Sequence, residues 1–562
     1  MKKREKRSFS SVALRVAVAS ILPIASLTFV SNASGADAPV ATTLVRPEGL
    51  PNIPALPFTG VKAATFTTPN SMVNLTTSPS QGVVGDSFKI DGKALLPDTE
   101  YVLTWSTSDA SWLAGIEPNT VNYMGTSYVN YHVNLANVKT NATGGFSYSA
   151  KIPSDWGGVH DIYLVKDGVA AGHGGVQVSR SFNMSPKSGP IGTPITVTYT
   201  GLGPKLYAAG SALIYDNHFA GEMMARWSRG TAKAVILATG KVGNHLIQAN
   251  EAISFSYLNV LQSPVPYANS GQGIFKITKD PGAFKPYVKY PTKVTPTVSQ
   301  RTTLSSIGLD PNTNAVASLS IDSGPVGSKT TLNVTGLTTT GSHQIVWATV
   351  VGNRVNCSGT CWIYNSIPLA TVDVTSSTLS KEVTIPDHLG GWHVIQIKQG
   401  DVIEAQSIFY VKESIMNFYD KAGKVIGSGL ATADTSGSAE AFAAGGAGRP
   451  TNTFKENEEF TISIKGVGWT QFDNTLAVTY DNSYIGYGCG FNSNGYLVVH
   501  LRATGGVGTH VIDLRPLLYT QQPSFASTPY GMTPVLTSEN DFPGLALGYQ
   551  IPQFHFAINV VK

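Results

Sequence analysis

Four histidines recur in one setting, Gly-x-His-x-Ile, at His160, His245, His393 and His510. A histidine can ligate a metal, move a proton or donate from both ring nitrogens, so a repeated one invites a metal or catalytic reading. The histidine and isoleucine lie two apart and share one face of a strand. One histidine per repeat cannot close a metal site if the repeats are strung end to end. The motif is therefore expected to be structural, a ring packed at a sheet corner and donating to a backbone carbonyl. A second pair of motifs, Tyr215-Asp216-Asn217 and Tyr480-Asp481-Asn482, carries oxygen donors of the kind calcium takes. One carboxylate and one amide per copy are too few. Asp216, Asn217, Asp481 and Asn482 read first as turn chemistry and only second as metal ligands.

Trp156 and Trp392 flank the late glycine pairs, with Trp112 and Trp362 in the preceding loops. Aromatic rings near loop ends can stack on sugars, so these four are the carbohydrate-contact candidates, whereas Trp105 and Trp347 read as core. Cys357 and Cys361 lie four apart in a Gly/Asn loop. In an oxidising compartment such a pair reads as a small disulfide loop, with two free thiols as the alternative. Cys489 stands where Met224 stands in the sister repeat, a tolerated apolar position. Signatures of a serine hydrolase elbow, a zincin, a phosphate loop or a dinucleotide site are absent, and no catalytic residue or cofactor is expected. Glycosidase carboxylates need no fixed spacing, so a hydrolase with an interdomain site stays as a third reading.

The elements that must hold these residues are duplicated. Residues 194–248 align without a gap on 459–513 at an offset of 265, with 17 of 55 positions identical. Chance gives roughly one identity in fifteen, so the match is a repeat. Gly82, Gly85 and Trp105 recur as Gly324, Gly327 and Trp347. The order is A-B-A′-B′: segment A at 72–180, B at 181–278, a Pro-containing linker at 279–315, A′ at 316–413 and B′ at 414–562. B′ carries a Gly/Ala/Ser-rich insertion at about 426–455, which reads as a surface loop. A second excursion at 519–552 is the place expected to be specialised for a partner. Short alternating runs such as 195–199, 331–335 and 460–464 predict strands, and no helix is expected beyond the amino-terminal segment. The expected fold class is all-β, a tandem array of four β-sandwiches.

The Ser-Gly-Pro-x-Gly openings at Ser188 and Ser323, with the late Gly-x-His-x-Ile strand, resemble the immunoglobulin-like (IPT/TIG-like) repeats of bacterial and archaeal secreted surface proteins. B′ lacks that opening and joins the resemblance through its match to B. The resemblance implies an extracellular β-sandwich array that is adhesive, spacer-like or appended to enzymes.

Residues 1–36 read as a signal peptide, with a basic start, an apolar run at 16–30 and a small-residue cleavage pattern, and 37–71 as an amino-terminal extension. Those 36 residues hold six bases and one acid, which leaves 33 bases against 34 acids. A near-neutral mature chain has no electrostatic footprint for nucleic acid. No later stretch is long and apolar enough for a membrane span. The expectation is a secreted, surface-associated structural or adhesive protein whose partner is a cell-surface polymer, a glycan or other copies of itself. The alternative is a polysaccharide-binding or accessory protein for an extracellular enzyme.

Overall fold

Alternating polarity becomes strand because successive side chains point to opposite faces, and one face must leave water. Ser87–Gly92 and Pro194–Thr200 each bury every second residue in this way. The computed structural model describes residues 41–43, 61–117, 120–204, 208–251, 258–259, 261, 271–291, 313–352, 362–420, 425–428, 452–521 and 529–562. Among them regular structure is nearly all β, with helix confined to short pieces such as Phe491–Ser493 and Pro543–Ala546.

In B, a three-stranded sheet (Ser181–Ser185, Pro194–Thr200, Ala232–Leu237) accompanies a five-stranded one (Ser188–Gly189, Gly271–Ile277, Gly243–Glu251, Gly210–Tyr215, His218–Met224). Ile195, Val197 and Ile236 of the small sheet meet Leu213, Ile247 and Phe275 of the large one in a single apolar core. A, A′ and B′ repeat this scheme with a small sheet of three or four strands and a large one of five or seven. The cores of A and A′ each centre on a tryptophan with no exposed surface, Trp105 and Trp347.

The junctions inside the two repeats are built alike. Gly157 N–H donates to Leu202 O at 2.8 Å, and Gly390 N–H donates to Val467 O at 2.8 Å. A Cβ at Gly157 or Gly390 would fall within 2 Å of a glycine carbonyl across the joint (1.7 Å from Gly201 O, 1.6 Å from Gly466 O). Only glycine permits that approach.

The end-to-end string expected from the repeats does not form. Trp112 of A, Met224 and Trp227 of B, Trp392 and Tyr410 of A′, and Trp469 and Phe472 of B′ share one buried cluster. Apolar side chains at the ends of the segments have no other way to leave water, and each large one buried contributes about 1.5–3 kcal/mol. The described residues accordingly fall in one compact unit.

Two stretches differ from expectation for the same reason. The 519–552 excursion faces the chain itself: Val535, Phe542, Leu545, Leu547, Tyr549 and Ile551 enter the shared cluster, and Leu536 enters the core of B. Within the expected linker, Tyr287–Lys289 is a strand paired antiparallel with the last strand, Gln553–Val561. The spacer is thus partly an edge of the B′ sheet.

Candidate functional site

Each repeated histidine is clipped twice. One ring nitrogen meets the carbonyl that closes the preceding loop, and the other meets the neighbouring strand. In A, His160 Nε2 is 2.7 Å from Trp156 O and Nδ1 is 2.7 Å from Ser106 O, with the ring stacked on Trp105 at 4.3 Å. In A′, His393 repeats this with Gly390 O at 3.1 Å, Ala348 O at 3.0 Å and Trp347 at 4.6 Å.

In the B-type segments a carboxylate replaces the strand carbonyl. His245 Nδ1 is 2.5 Å from Asp216 Oδ2, and His510 Nδ1 is 2.5 Å from Asp481 Oδ2. The second carboxylate oxygen accepts the backbone N–H after the histidine, from Leu246 at 2.8 Å and from Val511 at 3.0 Å. Asp216, Asn217, Asp481 and Asn482 all have positive φ, as a tight turn between paired strands demands. Their carboxylates are therefore occupied by the repeated histidines. Among the described residues no three His, Cys, Asp or Glu side chains converge as a metal ion would need.

The corners of A′ and B′ set different electrostatics. Burial drives the His393 imidazole down to about 4, against the pull of its carbonyl partners. His510 goes the other way. Burial again opposes its charge, but the hydrogen bond and charge of Asp481, helped by Gly506 O and Asp280, raise its pKa.

The carbohydrate-contact expectation is corrected for three tryptophans. Trp112, Trp156 and Trp392 are buried, at most 8% exposed, because they fill the joints between segments, so no ring face is open to a sugar. Trp156 Nε1 donates to Ser108 O at 2.7 Å. Trp362 opens the strand Trp362–Val374, but its side chain lies outside the described residues, as do Cys357 and Cys361.

An open cleft of about 820 Å³ lies where A meets B, beside the first histidine corner. Trp156 and His160 line it together with Asn130, Tyr131, His132, Asp161, Tyr163, Gln177 and Arg180. Tyr163 stacks on His173 at 4.7 Å, and Phe66 leans on both His132 and Tyr163. The Tyr131 hydroxyl donates to Asp109, which pairs with Arg229 at 2.9 Å, and burial pushes this phenol up to about 12. Asp161 pairs with His173 at 2.9 Å. The lining mixes aromatic edges with amides and hydroxyls, and its acid, Asp161, is the partner of His173.

Three further carboxylates went unnoticed in the sequence, where no motif marks them. Glu222 accepts from the Thr533 hydroxyl, Asp541 accepts from Ser228, and Arg226 stacks over Trp112 at 4.7 Å. Burial pushes Glu222 up to about 7 and raises Asp541, with Arg226 opposing in both. Burial also raises Glu413, next to Asp473. All three are enclosed in joints, so they are not placed as a pair of carboxylates must be to flank a substrate.

No protein family and no curated protein sequence matches this chain. Similar solved structures include an alpha-2-macroglobulin from Salmonella, 7% identical, covering 88% of this chain and 31% of its own, at a TM-score of 0.15. A Corynebacterium diphtheriae protein described as membrane anchored is 13% identical over 60% of this chain and 89% of its own, at 0.17. The polymeric Ig receptor ectodomain of a teleost fish is 12% identical over 37% and 98%, at 0.15. This chain spans about a third of the macroglobulin's length. These neighbours are rich in β-sandwiches.

Proposed function

We propose that this chain is an exported, non-catalytic structural or adhesive protein in which a duplicated pair of immunoglobulin-like, IPT/TIG-like sandwiches forms one stiff block at the cell surface. The observation that carries this reading is the shared apolar cluster, to which A, B, A′ and B′ all contribute. A catalytic domain needs a concave site with reachable acids or nucleophiles, whereas the carboxylates that burial raises, Glu222, Glu413 and Asp541, are enclosed in joints. The basic and apolar run at 1–36 supports export. No helix among the described residues is long and apolar enough to cross a membrane. The test is surface labelling of intact producing cells, together with binding of the purified chain to cell-wall polymer. Surface exposure with wall binding is expected. A chain that stays inside cells and binds neither cells nor wall polymer contradicts the reading.

The A–B cleft favours a second reading, the binding of a glycan. Its aromatic edges, amides and hydroxyls suit a polyhydroxylated ligand. Glycan-array binding that is lost in Tyr131→Ala would support it. Binding that survives would exclude this cleft.

A further inference from the structure

B and B′ present the same two surfaces, and only half of them are used. The first surface is the Asp-Asn turn, Asp216-Asn217 in B and Asp481-Asn482 in B′, each locked by its histidine. The second is the loop at 237–239 in B and 502–504 in B′. There the Tyr215 hydroxyl donates to Thr239 O at 2.7 Å and accepts from Thr239 N–H at 3.3 Å, and Tyr480 does the same with Thr504 at 2.7 and 3.1 Å.

Inside the chain, one turn fills one loop. The Thr239 hydroxyl donates to Asp481, and Asn482 Nδ2 donates to Leu237 O at 2.8 Å. That seat leaves Thr239 1% and Asn482 3% exposed. Their sisters, Asn217 and Thr504, are exposed. Every group the contact needs is still there: the Asp-Asn pair, the threonine hydroxyl and the carbonyl of residue 502. Arg502 replaces Leu237, but only the backbone carbonyl is used at that position, and the guanidinium is turned toward Asn457 O and Glu459.

We infer that the free Asp216-Asn217 turn of one copy seats in the free 502–504 loop of a second copy, by the hydrogen bonds already made between B′ and B. Turn and loop are different surfaces, so the contact is heterologous and chains copies head to tail. The inference rests on the structural reading above for its biological use. It is tested in solution without cells, so the two can fail separately.

Sedimentation velocity of the full chain at rising concentration is expected to show an average mass climbing above the monomer. Thr504→Glu and Asn217→Asp each set a carboxylate against acceptors, and each variant is expected to sediment as a monomer with an unchanged melting point. Thr504→Val removes only the hydroxyl and is expected to weaken association about five- to tenfold. An equimolar mixture of the Thr504→Glu and Asn217→Asp chains keeps one intact turn and one intact loop, so it should form dimers and nothing longer. A wild-type chain that stays monomeric at every concentration overturns the inference. So do acidic variants that associate like the wild type, or a mixture that remains monomeric.

Discussion

The edge strand His218–Met224 in B and its sister Ser483–Cys489 in B′ begin from the same turn and carry the same bulge, between Leu213 and Ile214 in one pair and Val478 and Thr479 in the other. Their bulge glycines match as well, with φ of 155° at Gly221 and 154° at Gly486. Their surroundings are opposite. A Cβ on Gly221 would lie 2.7 Å from Pro534 O, because residues 533–537 run along this edge, whereas a Cβ on Gly486 would meet nothing among the described residues within 4 Å. Leu536 N–H donates to Glu222 O and Met224 N–H to the Thr537 hydroxyl. On the open edge the sister residues of Glu222 and Met224 are Tyr487, half exposed, and Cys489, exposed. Duplication copied the hairpin, and among the described residues the stretch 533–537 of B′ covers one of the two edges and not the other. An uncovered edge is where a sheet protein meets its surroundings.

The covered edge should be the costly one to disturb. Leu536→Ala removes a side chain wedged against Gly221 and the core of B, with an expected loss of about 2–5 kcal/mol in chemical denaturation. A loss below half a kilocalorie, on the scale of a surface substitution, would mean that the excursion is not seated there.

Glu222→Gln sharpens the comparison through pH. Glu222 is raised when folded, so its contribution is full below about pH 4.5 and is lost as the pH rises through about 7. The glutamine variant is expected to match the wild type at pH 4 and to exceed it by roughly 2–3 kcal/mol at pH 8. Equal stability of the two at pH 8 would show that burial does not raise Glu222.

The histidine corners of A′ and B′ give effects of opposite signs. The share of His393 is full above about pH 6.5 and is lost as the pH falls toward 4, whereas that of His510 is full below about 6.5 and is lost as the pH rises through its raised pKa. Asp481→Asn should flatten only the alkaline limb, by less than about 1 kcal/mol after solvent screening. Ring titrations by NMR check the order directly, and a His393 that titrates above His510 would refute it. Smallest of all, Tyr487→Ser on the open edge should move stability by no more than about 0.5 kcal/mol.

Much of the local structure was legible in the sequence. Alternation marks strands such as Pro194–Thr200, and the acidic-amide pairs Asp216-Asn217 and Asp481-Asn482 form turns. The histidines pack at corners with carbonyl partners, but the carboxylate in the B-type corner lies 29 residues upstream of its histidine and no spacing rule joined the two. The central cluster was illegible for a stronger reason. Trp112, Trp227, Trp392 and Trp469 are not equivalent positions of the repeat, and a tryptophan in a loop reads the same whether it meets a sugar or another segment. Ser228 and Asp541 likewise meet across 313 residues with no periodicity to announce it. Repeats disclose what each segment does for itself, and residues that differ between copies build the shared central cluster.

The account turns on these segments behaving as one body. Differential scanning calorimetry of the full chain tests that most directly, because segments joined by a common core must melt together. One transition is predicted, with calorimetric and van't Hoff enthalpies in agreement. Two or more well-separated transitions, each matching a segment expressed alone, would contradict it.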